Sequence, residues 1–407
     1  MPPIYPLEKL VDSVCRYHPW YRSLLVQHPL QIQLQEAQLS ELPLITAEVL
    51  DQHYFTSAAR PDPELSVYKT SGTSSGIRKA IYYSKEDDEG YIAAKMASYR
   101  EWLKNPSIVH KALADMGTGH AASTALAIFS RLGWQAASLS FELPIEAHIA
   151  KLKQFQPDLL YTMPSILDAI VAEAGNPLLF GIQKIILVGE IAPIEWQAHI
   201  AARFGIEPAD ILDTYGSIEI GAIASYSHEL GLYIIDETLC AEALPAEQIN
   251  DRFEPLQGNE AVLVLTSYIR SMFPAIRYVT YDVVRDFQTI TINGNPRQAF
   301  QCISKRIGPD LKHGEKISLY DIESVVHQFV HDAELRVKLV HNQLSIHIRS
   351  RSLKEEMLIH IQHAIEHKIS EIGQMIQNRI LAGITVTRAA ENEHLERGTV
   401  KSKKLYF

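Results

Sequence analysis

The run Thr70-Ser71-Gly72-Thr73-Ser74-Ser75-Gly76-Ile77-Arg78-Lys79 concentrates hydroxyls and glycines ahead of a lysine. Glycine lets a backbone fold tightly, so that successive N–H groups converge on an oxyanion, and Lys79 adds a positive charge. The chemistry suited to this composition is the cradling of a phosphate chain. It is not a Walker loop, because no Gly-Lys-Ser/Thr ending is present. Gly72-Thr73-Ser74-Ser75-Gly76 also fits the G-x-S-x-G pattern, which would make Ser74 the nucleophile of a serine hydrolase. That elbow needs an apolar strand before it and a helix directly after. Here Ala80-Ile81-Tyr82-Tyr83 continues as a strand, which counts against the hydrolase. Taken alone, the run also reads as a solvent-exposed Ser/Thr connection.

Other chemistry is less well supplied. Cys15, Cys240 and Cys302 are widely spaced and odd in number, so neither a disulfide framework nor a zinc knuckle is indicated, and a reduced cytoplasmic setting fits. His360, His363 and His367 fall at helical spacing, but no cysteine or carboxylate completes a metal site, and a solvent-facing stripe is the simpler reading. The 407 residues carry a formal net charge of -10, which argues against nucleic acid as the main partner. No window is long and apolar enough to span a membrane, and Met1–Leu10 lacks a signal-type apolar core.

The elements that must position the loop read as α/β. Strand-like stretches flank it between Val67 and Ser84. Ile149–Phe155, Ser165–Ala174 and Ile194–Phe204 read as helices, alternating with short strands at Leu159–Met163 and Ile211–Tyr215. Ile185-Ile186-Leu187-Val188 is a continuous apolar run, the pattern of a strand buried on both faces. Beyond Tyr226 the chain turns β-rich, with strands at Ala261–Thr266 and Ile276–Thr280 and a hairpin around Asn293-Gly294. A smaller unit follows. It holds a helix at Leu319–Val330, strands at Leu335–Val340, Leu344–Ile348 and Ile384–Arg388, and one long amphipathic helix. That helix lines up Leu353, Met357, Ile361, Ile365, Ile369, Ile372 and Ile376. The fold class expected is α/β: a large N-terminal domain of mixed sheets and helices over residues 1–305, and a small mobile α+β domain over 306–407.

After the loop come Asp213-Thr214-Tyr215-Gly216-Ser217-Ile218-Glu219, then Arg277-Tyr278-Val279-Thr280-Tyr281-Asp282, Lys305-Arg306, Lys312-His313-Gly314-Glu315 and Lys401. In this order they resemble the adenylate-forming superfamily of acyl-CoA synthetases, peptide-synthetase adenylation domains and luciferases, and within it the phenylacetate–CoA ligase branch. The resemblance runs from about Tyr68 to Lys404.

The resemblance implies ATP and magnesium as cofactors. Thr70, Ser71, Gly72, Thr73, Ser74, Ser75 and Gly76, with Lys79, would grip the β- and γ-phosphates. Gly189 and Glu190 would lie on the adenine side. Tyr215 and Gly216 would line the adenine and acyl pocket, with Asp213 and Ser217 of the same motif also among the cofactor-binding residues. Glu219 would hold magnesium, Asp282 the ribose hydroxyls, and Arg306 the ribose or phosphate. Lys401 would reach the α-phosphate and the attacking carboxylate. The plainer readings are a helix N-terminal carboxylate for Glu219, a turn cap for Asp282 and a solvated basic tail for Lys401.

The implied activity is activation of an aryl or acyl carboxylic acid to acyl-AMP, followed by thioester formation with coenzyme A. The alternatives are loading of a holo acyl carrier protein, or a degenerate binding or scaffold member. Neither the acid nor the oligomeric state is legible, a homodimer included. The chain departs from the family at several points: Tyr281 stands where the ribose motif has glycine, Val400 precedes the tail lysine in place of glycine, Pro309 stands where an acidic residue is usual, the segment between Arg306 and Gly314 is one residue short, and the cysteine-bearing segment of some relatives is absent around Tyr226-Ser227-His228-Glu229.

Overall fold

The computed structural model describes residues 6–27, 37–56, 64–70, 79–116, 120–308, 317–340, 343–378, 381–389 and 405–406. Ser71, Gly72, Thr73, Ser74, Ser75, Gly76, Pro309, Lys312–Glu315, Val400 and Lys401 lie outside the described residues.

Ile185, Ile186 and Leu187 are fully buried, as a continuous apolar run requires of a central strand. Their strand, Lys184–Val188, pairs in parallel with Leu159–Thr162 on one side and Ile211–Ser217 on the other. Among the described residues it lies in the interior of a nine-stranded sheet, next to the central strand Ile211–Ser217. Lys111–Asp115 and Gln135–Leu139 extend it in parallel beyond Leu159–Thr162. Gly221–Ser227, Leu232–Ile235, Asn295–Phe300 and Gln288–Ile292 extend it antiparallel on the other edge. The Lys111–Asp115 and Gln135–Leu139 strands are alanine-bearing and weak in β-branched residues, so their pattern does not announce them.

A second, four-stranded antiparallel sheet joins Leu239–Leu244, Glu260–Ser267, Tyr278–Arg285 and Ile303–Arg306. The strand expected to stop at Thr280 runs on to Arg285, so Asp282 lies within it and does not cap its end. The expected hairpin forms between Gln288–Ile292 and Asn295–Phe300. Asn293 and Gly294 both take positive φ, 51° and 79°, the requirement of the tight turn whose twist matches its strands.

The small unit gathers its own core from Ile317 to Val386. Its long amphipathic helix is interrupted: Glu355–Lys368 and Ser370–Gln377 are separate helices, divided at Ile369, whose backbone is extended. The apolar stripe survives the break, because Ile361, Ile365, Ile369 and Ile372 are all buried in one cluster. Arg285 on the four-stranded sheet forks onto Asp321 of this unit, with both contacts at 2.7 Å. Among the described residues no helix is long and apolar enough to cross a membrane.

Candidate functional site

Asp282 sits where the two sheets meet. Tyr215, on the nine-stranded sheet, donates its phenolic hydrogen to Asp282 Oδ2 at 2.5 Å. Arg306 pairs with Asp282 across the four-stranded sheet and lies 3.4 Å from Oδ1. Burial and the Asp282 charge together hold the Tyr215 phenol well above its ordinary range, so it stays a donor. The Asp282 field in turn raises Arg306, which stays charged. A carboxylate has about four lone-pair sites, so with one donor on Oδ2 and one cation beside Oδ1 it retains capacity for two further hydroxyl donors.

The backbone that presents Asp282 is irregular. Val262 pairs with Val283 and Val264 with Val279, so Thr280, Tyr281 and Asp282 together face Leu263. Bulges of this kind re-aim a side chain and recur beside active sites. Thr280 Oγ1 donates to the Leu263 carbonyl at 2.7 Å and accepts from Asp282 N at 3.1 Å, filling the interrupted ladder. Tyr281 has φ 63°, in the left-handed region that glycine enters freely and that costs other residues about 1–2 kcal/mol. Tyr281 thus adopts a conformation that the glycine expected at this position would enter freely. The tyrosine side chain is buried among Val262, Val264, Val279, Val283 and Ile307. Its hydroxyl accepts from Ala47 N at 3.0 Å.

Glu219 lies in the turn between Ile211–Ser217 and Gly221–Ser227. That disposes of a helix N-terminus. Three contacts fix the turn. Tyr83 OH donates to the Ile218 carbonyl at 2.8 Å, Arg270 Nε donates to the Glu219 carbonyl at 3.0 Å, and Ile220 N donates to Ser217 Oγ at 3.2 Å. Gly216 is constrained by space: a Cβ there would stand 2.6 Å from the Gly221 carbonyl oxygen. The Glu219 carboxylate acts electrostatically on Tyr83, Tyr278 and Arg306, and among the described residues no hydrogen-bond donor meets it. An oxygen ligand without a local donor suits magnesium, which is held through one or two protein carboxylates together with substrate phosphates.

Thr70 and Lys79 flank the segment expected to cradle phosphate and are joined to each other. Thr70 N donates to the Lys79 carbonyl, and Lys79 N donates to Thr70 Oγ1, both at 2.9 Å. The Lys79 ammonium pairs with Asp51 and lies 4.6 Å above the Phe55 ring, so in this structure it is engaged with the 50–55 turn. The strand leaving that segment, Ala80–Tyr83, carries the tyrosine that holds the Glu219 turn, which sets the Thr70–Lys79 pair and the turn side by side.

Two other expected residues sit apart. Glu190 follows Gly189, which has φ 85°, and its carboxylate accepts from Ser165 N at 2.8 Å and Ser165 Oγ at 3.0 Å, at the start of the Pro164–Glu173 helix. Asp213 is buried beneath the site, where Tyr233 OH donates to it. Burial raises its carboxyl to about 7, against the opposing pull of that hydrogen bond, the Thr214 N–H and the Lys95 charge. Lys95 is buried too and is lowered to about 8, chiefly by desolvation.

Sequence reasoning passed over Asp87 and Arg270. Asp87 is the third helical residue of a capping box begun by Ser84, a pattern visible in Ser84-Lys85-Glu86-Asp87. Its buried carboxylate pairs with Arg270 and accepts from Ser271 N at 2.6 Å and Met272 N at 3.0 Å. The Arg270 guanidinium lies 3.6 Å over the Tyr83 ring, so the pair braces both residues that hold the Glu219 turn. Of the helical histidines, His360, His363 and His367 are exposed, and among the described residues no cluster of potential metal ligands forms.

Residues 312–391 match the family model described as the fumarate–diaminopropanoate ligase C-terminal domain. Over 380 residues, 93% of this chain and 94% of the relative, the sequence is 36% identical to fumarate–(S)-2,3-diaminopropanoate ligase of Enterobacter agglomerans. Among solved structures, 2-hydroxyisobutyryl-CoA ligase in its postadenylation state superposes with a TM-score of 0.74 at 17% identity, over 98% of this chain and 87% of that one. The amide bond synthetase McbA from Marinactinospora thermotolerans gives 0.54 at 13% identity, over 86% and 71%. These likenesses establish the adenylate-forming α/β fold with a large N-terminal and a small C-terminal domain. The match to a ligase named for fumarate and a diamino acid overturns the expected acid–thiol ligase. It also removes coenzyme A and the carrier protein as acceptors and replaces the phenylacetate–CoA ligase branch.

Proposed function

We propose, for a chain that belongs to the family of fumarate–(S)-2,3-diaminopropanoate ligase, that it spends ATP to join a small dicarboxylic acid of the fumarate class to an amine of a 2,3-diamino acid, forming an amide. The observation that carries this reading is 36% identity sustained over 93% of the chain. In the first step a carboxylate oxygen attacks the α-phosphorus of ATP, the bond to pyrophosphate breaks, and acyl-AMP remains. In the second, the neutral amine nitrogen attacks the acyl carbon, the bond to the adenylate oxygen breaks, AMP leaves and the nitrogen gives up a proton. Transfer at phosphorus asks the protein chiefly for positioning and charge neutralisation.

In this reading Asp282, steadied by Tyr215 and Arg306, accepts the ribose hydroxyls. Glu219 supplies an oxygen ligand to magnesium, which would neutralise phosphate charge. Thr70–Gly76 surrounds the β- and γ-phosphates, with Lys79 moving from Asp51 to the nucleotide. Gly189, Gly216 and Ser217 shape the adenine side, and Lys401 faces the α-phosphate. Glu190 and Asp213 act one layer out, through Ser165 and Tyr233. In the same reading the large domain runs over residues 1–305 and the small one over 306–407.

The test is incubation with ATP, magnesium, fumarate and (S)-2,3-diaminopropanoate, following pyrophosphate and identifying the product by mass. An amide that requires both acid and amine is expected. Pyrophosphate release with other acids but not with fumarate would overturn the acid assignment. Acyl-AMP that accumulates unchanged in the presence of the diamino acid would overturn the amine.

A further inference from the structure

We infer that Tyr281 is a positioning residue for nucleotide binding: its hydroxyl, fastened to Ala47 N, locks the left-handed bulge that aims Asp282 at the ribose. The inference rests on the proposed ribose role of Asp282 and extends it to Tyr281 beside it and to Ala47, far outside the nucleotide motif.

Three observations carry it. First, Tyr281 holds φ 63° where a glycine would be relaxed, so the bulge needs an external hold on the side chain. Second, that hold is present. The phenol is buried against Phe253 and accepts the Ala47 N–H at 3.0 Å, while the Tyr281 carbonyl accepts from Ile307 N at 2.9 Å. Burial and the Glu48 carboxylate raise the phenol to about 12, opposed by the Ala47 N–H, so it keeps its proton. Third, Ala47 belongs to a segment fixed along the same strand from the other side. Ile45 N donates to the Arg277 carbonyl and Val279 N to the Ile45 carbonyl, each at 3.0 Å. The same segment continues to Asp51, the partner of Lys79. One strap therefore touches both the residue that aims Asp282 and the cation at the base of the phosphate loop.

A tether of this kind is separable from ordinary packing, because either end can be cut. Tyr281→Phe removes the acceptor and keeps the ring. Ala47→Pro removes the donor at the first helical position, where proline is accommodated and the N–H has no partner within the helix. The extended Thr46 before it, with φ -91° and ψ 172°, suits a residue preceding proline.

The readout is affinity for AMP and for 2′,3′-dideoxy-AMP, measured by calorimetry on full-length protein whose melting temperature is checked alongside. A residue that only packs would weaken both nucleotides alike. A residue that aims Asp282 at the ribose hydroxyls weakens AMP and spares the dideoxy compound. The expectation is a three- to ten-fold loss for AMP in Tyr281→Phe, in Ala47→Pro and in the double variant alike, with dideoxy affinity within two-fold of wild type. Unchanged AMP affinity in both single variants overturns the tether. Equal losses for the two nucleotides reduce Tyr281 to a packing residue and overturn it as well. Asp282→Ala is the control. If it leaves the AMP-to-dideoxy ratio at the wild-type value, the ribose assignment fails. If it collapses the ratio while Tyr281→Phe does not, only the tether fails.

Discussion

Tyr215 and Asp282, 67 residues apart and on different sheets, are joined by a 2.5 Å hydrogen bond from phenol to carboxylate. The bond fixes the distance between the nine-stranded sheet, which carries the Glu219 turn, and the four-stranded sheet, which carries Arg306. A nucleotide spanning the two would meet the proposed ribose acceptor Asp282 and the proposed magnesium ligand Glu219 at a set separation. The geometry also leaves each oxygen of Asp282 partly unoccupied, which a purely structural aspartate would not require.

Asp282→Ala should weaken AMP binding by roughly ten- to a hundred-fold, the scale of one lost charge-assisted hydrogen bond or a little more. Tyr215→Phe should weaken it less, because the carboxylate remains. Calorimetric titration decides the matter, and an unaltered affinity in folded Asp282→Ala removes this residue from the site.

Glu219→Gln should slow pyrophosphate release while leaving AMP affinity nearly intact, because the amide keeps the size and loses the charge magnesium needs. Excess chelator should silence the wild type in the same assay. Full turnover under chelation, or in the variant, would exclude the metal role.

Arg270→Met should destabilise the protein by about 3 kcal/mol or more, because it strands the buried Asp87 carboxylate without its cation. Denaturant unfolding measures this. A loss below about 0.5 kcal/mol, the ordinary range of surface substitutions, would show that Asp87 is satisfied by backbone donors alone.

Asp213 gives a prediction with a definite sign. Its folded carboxyl is raised from 3.8 to about 7, mainly by burial, so between those values the folded state binds the proton that the unfolded state has released. Its contribution to stability therefore falls as pH rises from about 4 to about 7 and is level above. Asp213→Asn cannot titrate. The stability of wild type relative to this variant should decline across that window, and a flat difference would refute the raised carboxyl.

Buried Lys95 runs the opposite way. Lowered from 10.5 to about 8, it is neutral in the fold while still charged in the unfolded chain, so its contribution grows as pH rises from about 8 to about 10.5. Lys95→Met should abolish that rise.

The continuous run Ile185–Val188, the Asn293-Gly294 turn and the apolar stripe from Leu353 to Ile376 were legible because each is a local rule of periodicity or turn chemistry acting on neighbouring residues. The ordered motifs from Thr70 to Lys401 were legible in a different way, through their resemblance to the adenylate-forming superfamily. The acceptor was not, because an amine and a thiol attack the same adenylate carbon. Tertiary structure decided what no local pattern holds. It placed Asp282 inside a strand where a turn cap had been an option, and Glu219 in a hairpin turn where a helix start had been. It also put Tyr281, at the position expected to be glycine, in the left-handed region, with Ala47 N, 234 residues away, donating to its hydroxyl and a buried valine-rich cluster around its ring. A residue's intrinsic preference is written in its own type; the contacts that override it come from segments brought close only when the sheets assemble.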